Sequence, residues 1–144
     1  MAGYMSKLAN YIFDGECKAA AAVADGHLVT LGNGVATEYK PSTADANTTA
    51  IVVEAADGNG LTRLRITGLS TALYFVEGAD ANARTYAIDA YTPYGTGEED
   101  VFAANAYVRC HPLEVGEEIC TDNLAAAKAV GASVSIAAST GKWA

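Results

Sequence analysis

The chain has few positively charged residues, and this scarcity is the first constraint on its function. Its 144 residues include nine Lys and Arg against 17 Asp and Glu, for a formal net charge of −8. Proteins that bind nucleic acids neutralise phosphates with clusters of Lys and Arg. The nearest approach to a cluster is Arg63 with Arg65, which an alternating pattern places on one face of a single strand. We therefore expect no direct contact with nucleic acid.

Cysteines and long apolar runs are also scarce. Cys17, Cys110 and Cys120 make an odd number without paired spacing, which favours free, buried thiols in a reducing compartment. The opening residues lack the charged region and the apolar region of a secretory leader, so we expect none. No apolar run approaches the ~20 residues needed to span a bilayer. We expect synthesis in a cytoplasm and no membrane association.

Aromatic residues are few, and most of them are tyrosines. The chain has eight Tyr, three Phe and one Trp. A tyrosine combines an apolar ring with a hydroxyl that needs a polar partner, which suits surfaces that meet another protein.

The length fits a single domain with its own hydrophobic core. Residues 1–13 are rich in apolar side chains but follow no clear period. We interpret them as an N-terminal arm that lies on its own domain or on a partner; an edge strand or a short helix is the alternative. Residues 14–144 then form one β-rich domain.

Short apolar or alternating segments separated by turn residues indicate many strands. Residues 32–34, Gly-Asn-Gly, favour a tight hairpin turn between strands at 27–31 and 35–40. Residues 61–67 alternate, with Leu64 and Ile66 on one face and Arg63, Arg65 and Thr67 on the other. Further strands are predicted at residues 50–55, 71–76, 85–91 and 132–138, with a polar loop at 41–49 and an acidic loop at 93–100.

Residues 101–119 have the densest β-type pattern in the chain. They predict two strands folded about a short connection, with apolar faces supplied by Tyr107, Cys110, Leu113, Val115 and Ile119. Residues 120–131 fit either a short helix capped by Thr121 or Asp122 and closed by Gly131, or an irregular connection. The whole pattern predicts a mainly β fold: an antiparallel β-barrel or β-sandwich with an extended N-terminal arm and at most one or two short helices.

Several potential sites fail on spacing. Asp57-Gly-Asn-Gly60 resembles a calcium loop, but Ala55 and Ile66 would occupy its first and twelfth positions, where oxygen ligands are required. Cys110 and His111 are adjacent on a predicted strand and so point to opposite faces, which counts against a shared metal or a Cys–His nucleophile. We interpret His111 as a surface histidine near a loop. We expect no catalytic, cofactor-binding or metal-binding residues.

Two other interpretations use surface side chains. Tyr91 and Tyr94, with Trp143, suit a sugar-stacking platform on a carbohydrate-binding β-sandwich, but a loop anchor or an interface contact is the favoured explanation of the tyrosines. An enzyme would need a pocket around Asp100, His111 or Glu117, and the spacing indicates none. The acidic run at residues 98–100 is best explained as a solvated loop.

Two regions carry a family resemblance. The opening Y-I-F-D-G-E, followed by D-G-H-L-V-T-L-G-N-G, and the later L-E-V-G-E-E-I-C-T-D-N, followed by A-V-G-A-S-V-S-I-A, resemble the decoration or cement proteins of tailed-phage heads. The resemblance covers about half of the chain and lies in the types of residue and the order of the segments. It implies a small, β-rich, non-enzymatic protein on the outside of an HK97-type capsid, made in the host cytoplasm.

That resemblance sets the expected partners. They are the major capsid protein and further copies of the chain, with a trimer as one form. We expect contacts from the arm, at Tyr4, Met5, Leu8 and Tyr11, and from the 91–100 loop, at Tyr91 and Tyr94. A tail-tube, tail-tip or head-joining protein is the alternative within phage structure, and a carbohydrate-binding domain is the alternative outside it.

Overall fold

The computed structural model describes residues 3–5, 13–58, 60–76 and 101–144, with side chains from residue 17 onward. Within these ranges the chain is all-β, as the sequence predicts, and contains no helix. The strands are β1 (Gly3–Met5), β2 (Phe13–Ala19), β3 (Val23–Ala24), β4 (Leu28–Gly32), β5 (Val35–Glu38), β6 (Asp45–Glu54), β7 (Thr62–Gly68), β8 (Tyr74–Val76), β9 (Val101–Phe102), β10 (Tyr107–Pro112), β11 (Glu118–Thr121) and β12 (Ser133–Ile136).

The strands form a five-stranded open sheet, a closed barrel and a two-stranded ribbon. The open sheet has the order β1-β11-β7-β6-β12, and all its pairs are antiparallel. The barrel has the order β10-β2-β5-β4-β8 and closes through β8 and β10; its β2–β5 pair is parallel and the others are antiparallel. The ribbon pairs β3 with β9.

Strand alternation builds two cores. Val29 of β4 and Val76 of β8 point into the barrel, where small side chains fill a narrow interior. Their neighbours Leu28 and Phe75 point the other way and pack with the inner face of the open sheet. The barrel wall formed by β4 and β8 therefore contributes to both cores, and the open sheet lies against it.

Two local predictions are confirmed. Asn33 and Gly34 have φ values of +54° and +74°, as a two-residue turn between β4 and β5 requires. On β7, Leu64 and Ile66 are buried, while Arg65 and Thr67 are exposed on the outer face.

The interpretation of residues 101–119 needs correction. They contain β9, β10 and the start of β11. β10 belongs to the barrel and β11 to the open sheet, so the chain crosses between layers instead of forming a hairpin. Cys110, Leu113 and Ile119 are buried as predicted. Tyr107 and Val115 are not: they are 55% and 61% exposed.

The remaining differences lie at element boundaries. Residues 41–49 are not all loop, because β6 begins at Asp45. For residues 120–131 the irregular connection, one of the two predicted alternatives, is confirmed over residues 122–131, while Cys120 and Thr121 complete β11.

Residues 142–144 extend the edge of the open sheet. The backbone of Ala144 exchanges two hydrogen bonds with Ser135, and the N–H of Trp143 donates to the carbonyl of Asn123. Trp143 thus lies between β12 and the connection that precedes it, and its side chain is fully buried in the core shared by the two layers.

Across the described ranges, no helix is long and apolar enough to cross a membrane.

Candidate functional site

Of the six predicted partner-binding residues, two lie in a described strand. Tyr4 and Met5 belong to β1, where their backbones pair with Cys120 and Ile119 of β11 at the edge of the open sheet. The N-terminal arm therefore begins as an edge strand over these residues. Leu8, Tyr11, Tyr91 and Tyr94 lie outside the described residues, as do the predicted strand at 85–91 and the loop at 93–100.

His111 is not the surface residue that the sequence suggested. It is 6% exposed and pairs with Phe75, whose side chain faces the open sheet. Cys110, next to it, is buried inside the barrel. The prediction was wrong because Pro112, taken as a loop signal, is the last residue of β10 and lies opposite Tyr74.

The same alternation separates the potential metal ligands. Cys110 faces the barrel interior and His111 the space between the layers, so one ion cannot reach both. Among the described residues, no group of three or more His, Cys, Asp or Glu side chains could hold a metal ion. The described cysteines are all free thiols.

Trp143 cannot contribute to a sugar-stacking platform. Stacking on a sugar requires an exposed ring face, and the indole is 0% exposed. The carbohydrate-binding interpretation therefore loses this residue, while Tyr91 and Tyr94 lie outside the described ranges.

Asp45 is the centre of the densest hydrogen-bond network. Its Oδ2 atom accepts from the hydroxyls of Tyr39 and Thr48, both at 2.7 Å, and from that of Ser70 at 2.5 Å. Its Oδ1 atom accepts from the backbone N–H groups of Asn47 at 3.1 Å and Thr48 at 3.2 Å. The network joins the end of β5, the start of β6 and the connection after β7.

These donors determine the charge state of the carboxyl group. Burial alone raises the pKa of Asp45, but the hydrogen bonds from Ser70, Thr48, Tyr39 and the Asn47 backbone outweigh it and hold the pKa well below its usual range. Burial and the hydrogen bond to this carboxylate raise the pKa of Tyr39. Since both Asp45 oxygens accept hydrogen bonds from donors within the protein, we interpret the network as stabilising the fold.

A second network crosses the outer face of the open sheet. Arg65 donates from Nη2 and Nε to Glu118 Oε2 at 2.9 and 3.2 Å, and Arg63 lies within 4 Å of both Glu118 and Glu54. The hydrogen bond from Arg65 is the main cause that lowers the pKa of Glu118, with a smaller contribution from Arg63. Both arginines share one face, as predicted, and carboxylates partner their charges.

A third, smaller group lies at the barrel. His27 Nδ1 is 3.2 Å from Glu38 Oε2, and Lys40 Nζ is 3.7 Å from the same oxygen. Burial raises the pKa of Glu38, but the hydrogen bonds and charges of His27 and Lys40 together lower the pKa by more than burial raises it, so the net shift is downward.

Among the described residues, three of the five exposed large hydrophobic side chains, Val35, Val101 and Tyr107, belong to the barrel or to the β3–β9 ribbon that packs in its core, a region that we call the barrel-end surface. Backbone hydrogen bonds join three segments there: Lys18 N–H donates to Gly34, Ala19 N–H to Ala106, and Ala20 N–H to Ala36. Its exposed members are Lys18, Ala20, Ala21, Ala22, Val35, Val101, Ala103, Ala104 and Tyr107.

The strand register orders the middle of this surface. Lys18 of β2 lies directly between Tyr107 of β10 and Val35 of β5. The Lys18 ammonium lies 5.3 Å from the centroid of the Tyr107 ring, a cation–π contact. The sequence hid this surface because the alanine run at 20–22 suggests a helix as readily as a strand, and the three segments meet only through long-range pairing.

Comparison with protein-family models, with curated proteins and with solved structures gave no match for this chain.

Proposed function

We propose that the chain is a non-enzymatic virion structural protein that binds and stabilises the outer surface of an HK97-type phage capsid. The observation that carries the proposal is an all-β barrel-and-sheet fold in a chain whose opening and last third resemble capsid decoration proteins. On this view the major capsid protein is the partner, and the assembled protein lies on the capsid exterior.

The position of β1 supports an arm that meets the capsid. Gly3–Met5 is the outermost strand of the open sheet and pairs with β11 through three backbone positions. Leu8 and Tyr11, which lie outside the described residues, are the arm positions that we expect to contact the capsid. Edge strands are also where extended segments of other chains add to a sheet.

The charged networks support a scaffold that resists deformation. Asp45 joins three parts of the chain through five hydrogen bonds, and Glu118 links two arginines across the outer face of the open sheet. The net charge of −8 suits the outer face of a shell better than an inner face lined by DNA.

The test is direct binding to capsid shells. Purified, undecorated HK97-type shells from the virus or prophage that carries the gene are mixed with increasing amounts of protein and sedimented. We expect saturable binding at hundreds of copies per shell and a higher temperature of shell rupture. The Leu8→Ala/Tyr11→Ala double variant should bind more weakly, whereas Val130→Ala, which shortens an exposed side chain on another connection, serves as the matched control.

The outcomes separate the phage structural roles. Saturation at about a dozen copies would indicate a head-joining protein, and binding to tails but not to shells would indicate a tail role. Absence of binding to either particle would overturn the proposal.

A further inference from the structure

The tip of the β4–β5 hairpin is an exposed Asn-Gly sequence between small residues. Gly32, Asn33 and Gly34 are all exposed, and a Cβ atom added to either glycine would have no heavy atom within 4 Å. Among the described residues, neither the side chain of Asn33 nor the N–H of Gly34 has a hydrogen-bond partner. The side-chain amide and the backbone nitrogen that follows it are therefore both unhindered.

We propose that Asn33 is a site of spontaneous deamidation in the folded protein. The backbone nitrogen of Gly34 loses its proton and attacks Cγ of Asn33. The bond from Cγ to the side-chain nitrogen breaks, ammonia leaves with that proton, and a succinimide ring closes. Water then opens the ring at the Cγ carbonyl, which gives aspartate, or at the α carbonyl, which gives isoaspartate with its main chain through Cβ and Cγ. In total, water is consumed and ammonia is released in equal amounts.

The attack requires the Gly34 nitrogen to approach Cγ of Asn33 in a reactive geometry. Asn33 and Gly34 have φ values of +54° and +74°, so the backbone of the turn must rotate locally for the two atoms to meet. Glycine on both sides of Asn33 allows that rotation, and exposed hairpin tips open at little cost in free energy. The reaction therefore needs no unfolding of the barrel.

The other described asparagines lack this combination of features. Asn47 precedes a β-branched residue, Thr48, whose N–H is hydrogen-bonded, and Asn123 is 4% exposed. Asn105 is the nearest match, because it is exposed and has a φ of +69°. It precedes alanine, however, and the Ala106 N–H donates to a backbone carbonyl at 3.0 Å. Asn105 is thus the internal control.

Isoaspartate at the tip would act on the closure of the barrel. The carbonyl of Gly34 accepts from the Lys18 N–H at 2.9 Å, beside a β2–β5 pair that has two register positions, Lys18 with Val35 and Ala19 with Ala36. Isoaspartate adds a carbon to the main chain of a two-residue turn, so the carbonyl cannot keep both the β4–β5 register and this bond. Aspartate tolerates a positive φ and leaves the bond intact.

The test follows each asparagine separately in the isolated, full-length protein. The protein is incubated at mildly alkaline pH, folded or in concentrated urea, then digested, and the conversion of each amide to an acid is measured by mass spectrometry. Asn59, which also precedes glycine, lies outside the described residues and is followed in its own peptide. The rate in the folded protein is divided by the rate in urea, which removes the effect of the local sequence.

We expect this ratio to be about tenfold or more higher at Asn33 than at Asn105, because attack at Asn105 first requires the Ala106 hydrogen bond to break. The rate at Asn33 should also rise with pH, since the attacking nitrogen must lose its proton. Equal ratios at the two sites, or a rate at Asn33 in the folded protein more than about tenfold below its rate in urea, would overturn the proposal.

A second measurement tests the effect on the barrel. The isoaspartate form is separated from the aged protein by ion exchange and compared with the Asn33→Asp variant, which supplies the other product directly. Hydrogen exchange at the Lys18 amide should be faster in the isoaspartate form and unchanged in Asn33→Asp. Equal protection in the two would reject the effect on the barrel. All of these measurements are made without capsids, so their outcome is independent of the proposed function.

Discussion

At the scale of single residues, the most constrained position is Gly141. It has a φ of +67°, and a Cβ atom built on it would collide with the backbone carbonyl of Tyr39. A backbone atom cannot rotate aside as the end of a side chain can, and Tyr39 is also held by its hydrogen bond to Asp45. Only glycine fits here.

We therefore expect Gly141→Ala to destabilise the fold markedly. Gly131 is the matched control, because it also has a positive φ, of +89°, but no heavy atom lies within 4 Å of the place that a Cβ atom would take. Gly131→Ala should cost the conformational penalty of about 1–2 kcal/mol, and Gly141→Ala about 1–3 kcal/mol beyond that through overpacking. Urea unfolding gives both free energies. Equal losses would show that the Tyr39 backbone yields easily.

A second prediction at this scale concerns Asp45 and the pH dependence of the free energy of unfolding. Its folded pKa is depressed, so between the folded and unfolded values the unfolded chain binds more protons. The stabilisation is then complete above the unfolded pKa of about 3.9 and is lost as pH falls through that value toward the folded one. Part of the acid lability of the protein should come from this single group.

The Asp45→Asn variant isolates that contribution. At pH 7 we expect it to lower the free energy of unfolding by about 2–4 kcal/mol, because several hydrogen bonds to a charged acceptor are lost or reversed. The gap from wild type should narrow steadily below about pH 4. Glu38 and Glu118, whose pKa values are also lowered, keep titrating in both proteins. A gap that is constant with pH would contradict the role of the Asp45 charge.

At the scale of elements, residues 142–144 act as an extra strand on the edge of the open sheet, secured by Trp143. The indole is fully buried, and its Nε1 atom has no hydrogen-bond partner in the described part of the chain. Its contribution is therefore packing alone. We expect Trp143→Ala to cost about 3–5 kcal/mol, and Trp143→Phe clearly less, because no hydrogen bond is lost.

Unfolding monitored by circular dichroism measures both variants, with Tyr107→Ala as a control at an exposed ring that should change stability by less than about 0.5 kcal/mol. If Trp143→Phe costs as much as Trp143→Ala, the indole N–H makes a bond that contributes to stability.

Elements also show what the sequence can and cannot predict. The β4–β5 hairpin and the faces of β7 follow from local rules, because Asn-Gly requires positive φ values and period-two alternation requires one buried face. The assignment of β10 and β11 to different layers depends on pairing with β8 and β7, which lie more than 30 positions earlier in the chain. No local signal encodes those partners.

The candidate site is predictable to a still smaller degree. Tyr107 was expected to contribute to an apolar face, yet its ring is exposed. On β10, Cys110 faces the barrel interior, and the alternate residues face outward: His111 faces the open sheet, whereas Tyr107 faces solvent. The barrel-end surface needs β2, β5 and β10 side by side, and the parallel β2–β5 pair is the contact least visible in the sequence.

At the scale of the whole molecule, the question is whether the barrel and the open sheet unfold together. Leu28 and Phe75 are barrel residues, but they pack in the core of the open sheet, with Trp143. Val29 and Val76, their neighbours on the same strands, fill the barrel. Neither core can be exposed without displacing a strand that the other requires, so we expect one cooperative transition.

Two probes can follow the two layers in one sample. Trp143, the sole tryptophan, reports on the core shared with the open sheet, and Cys110 reports on the barrel interior. In a Cys17→Ser/Cys120→Ser variant, the rate of Cys110 labelling in increasing urea gives the free energy of exposing the barrel, while Trp143 fluorescence gives the global value. We expect the two free energies and their urea dependences to agree. A smaller free energy with a shallower urea dependence at Cys110 would mean that the barrel opens alone. The contact through Leu28 and Phe75 would then join two layers that fold separately, and residues 14–144 would not be one domain.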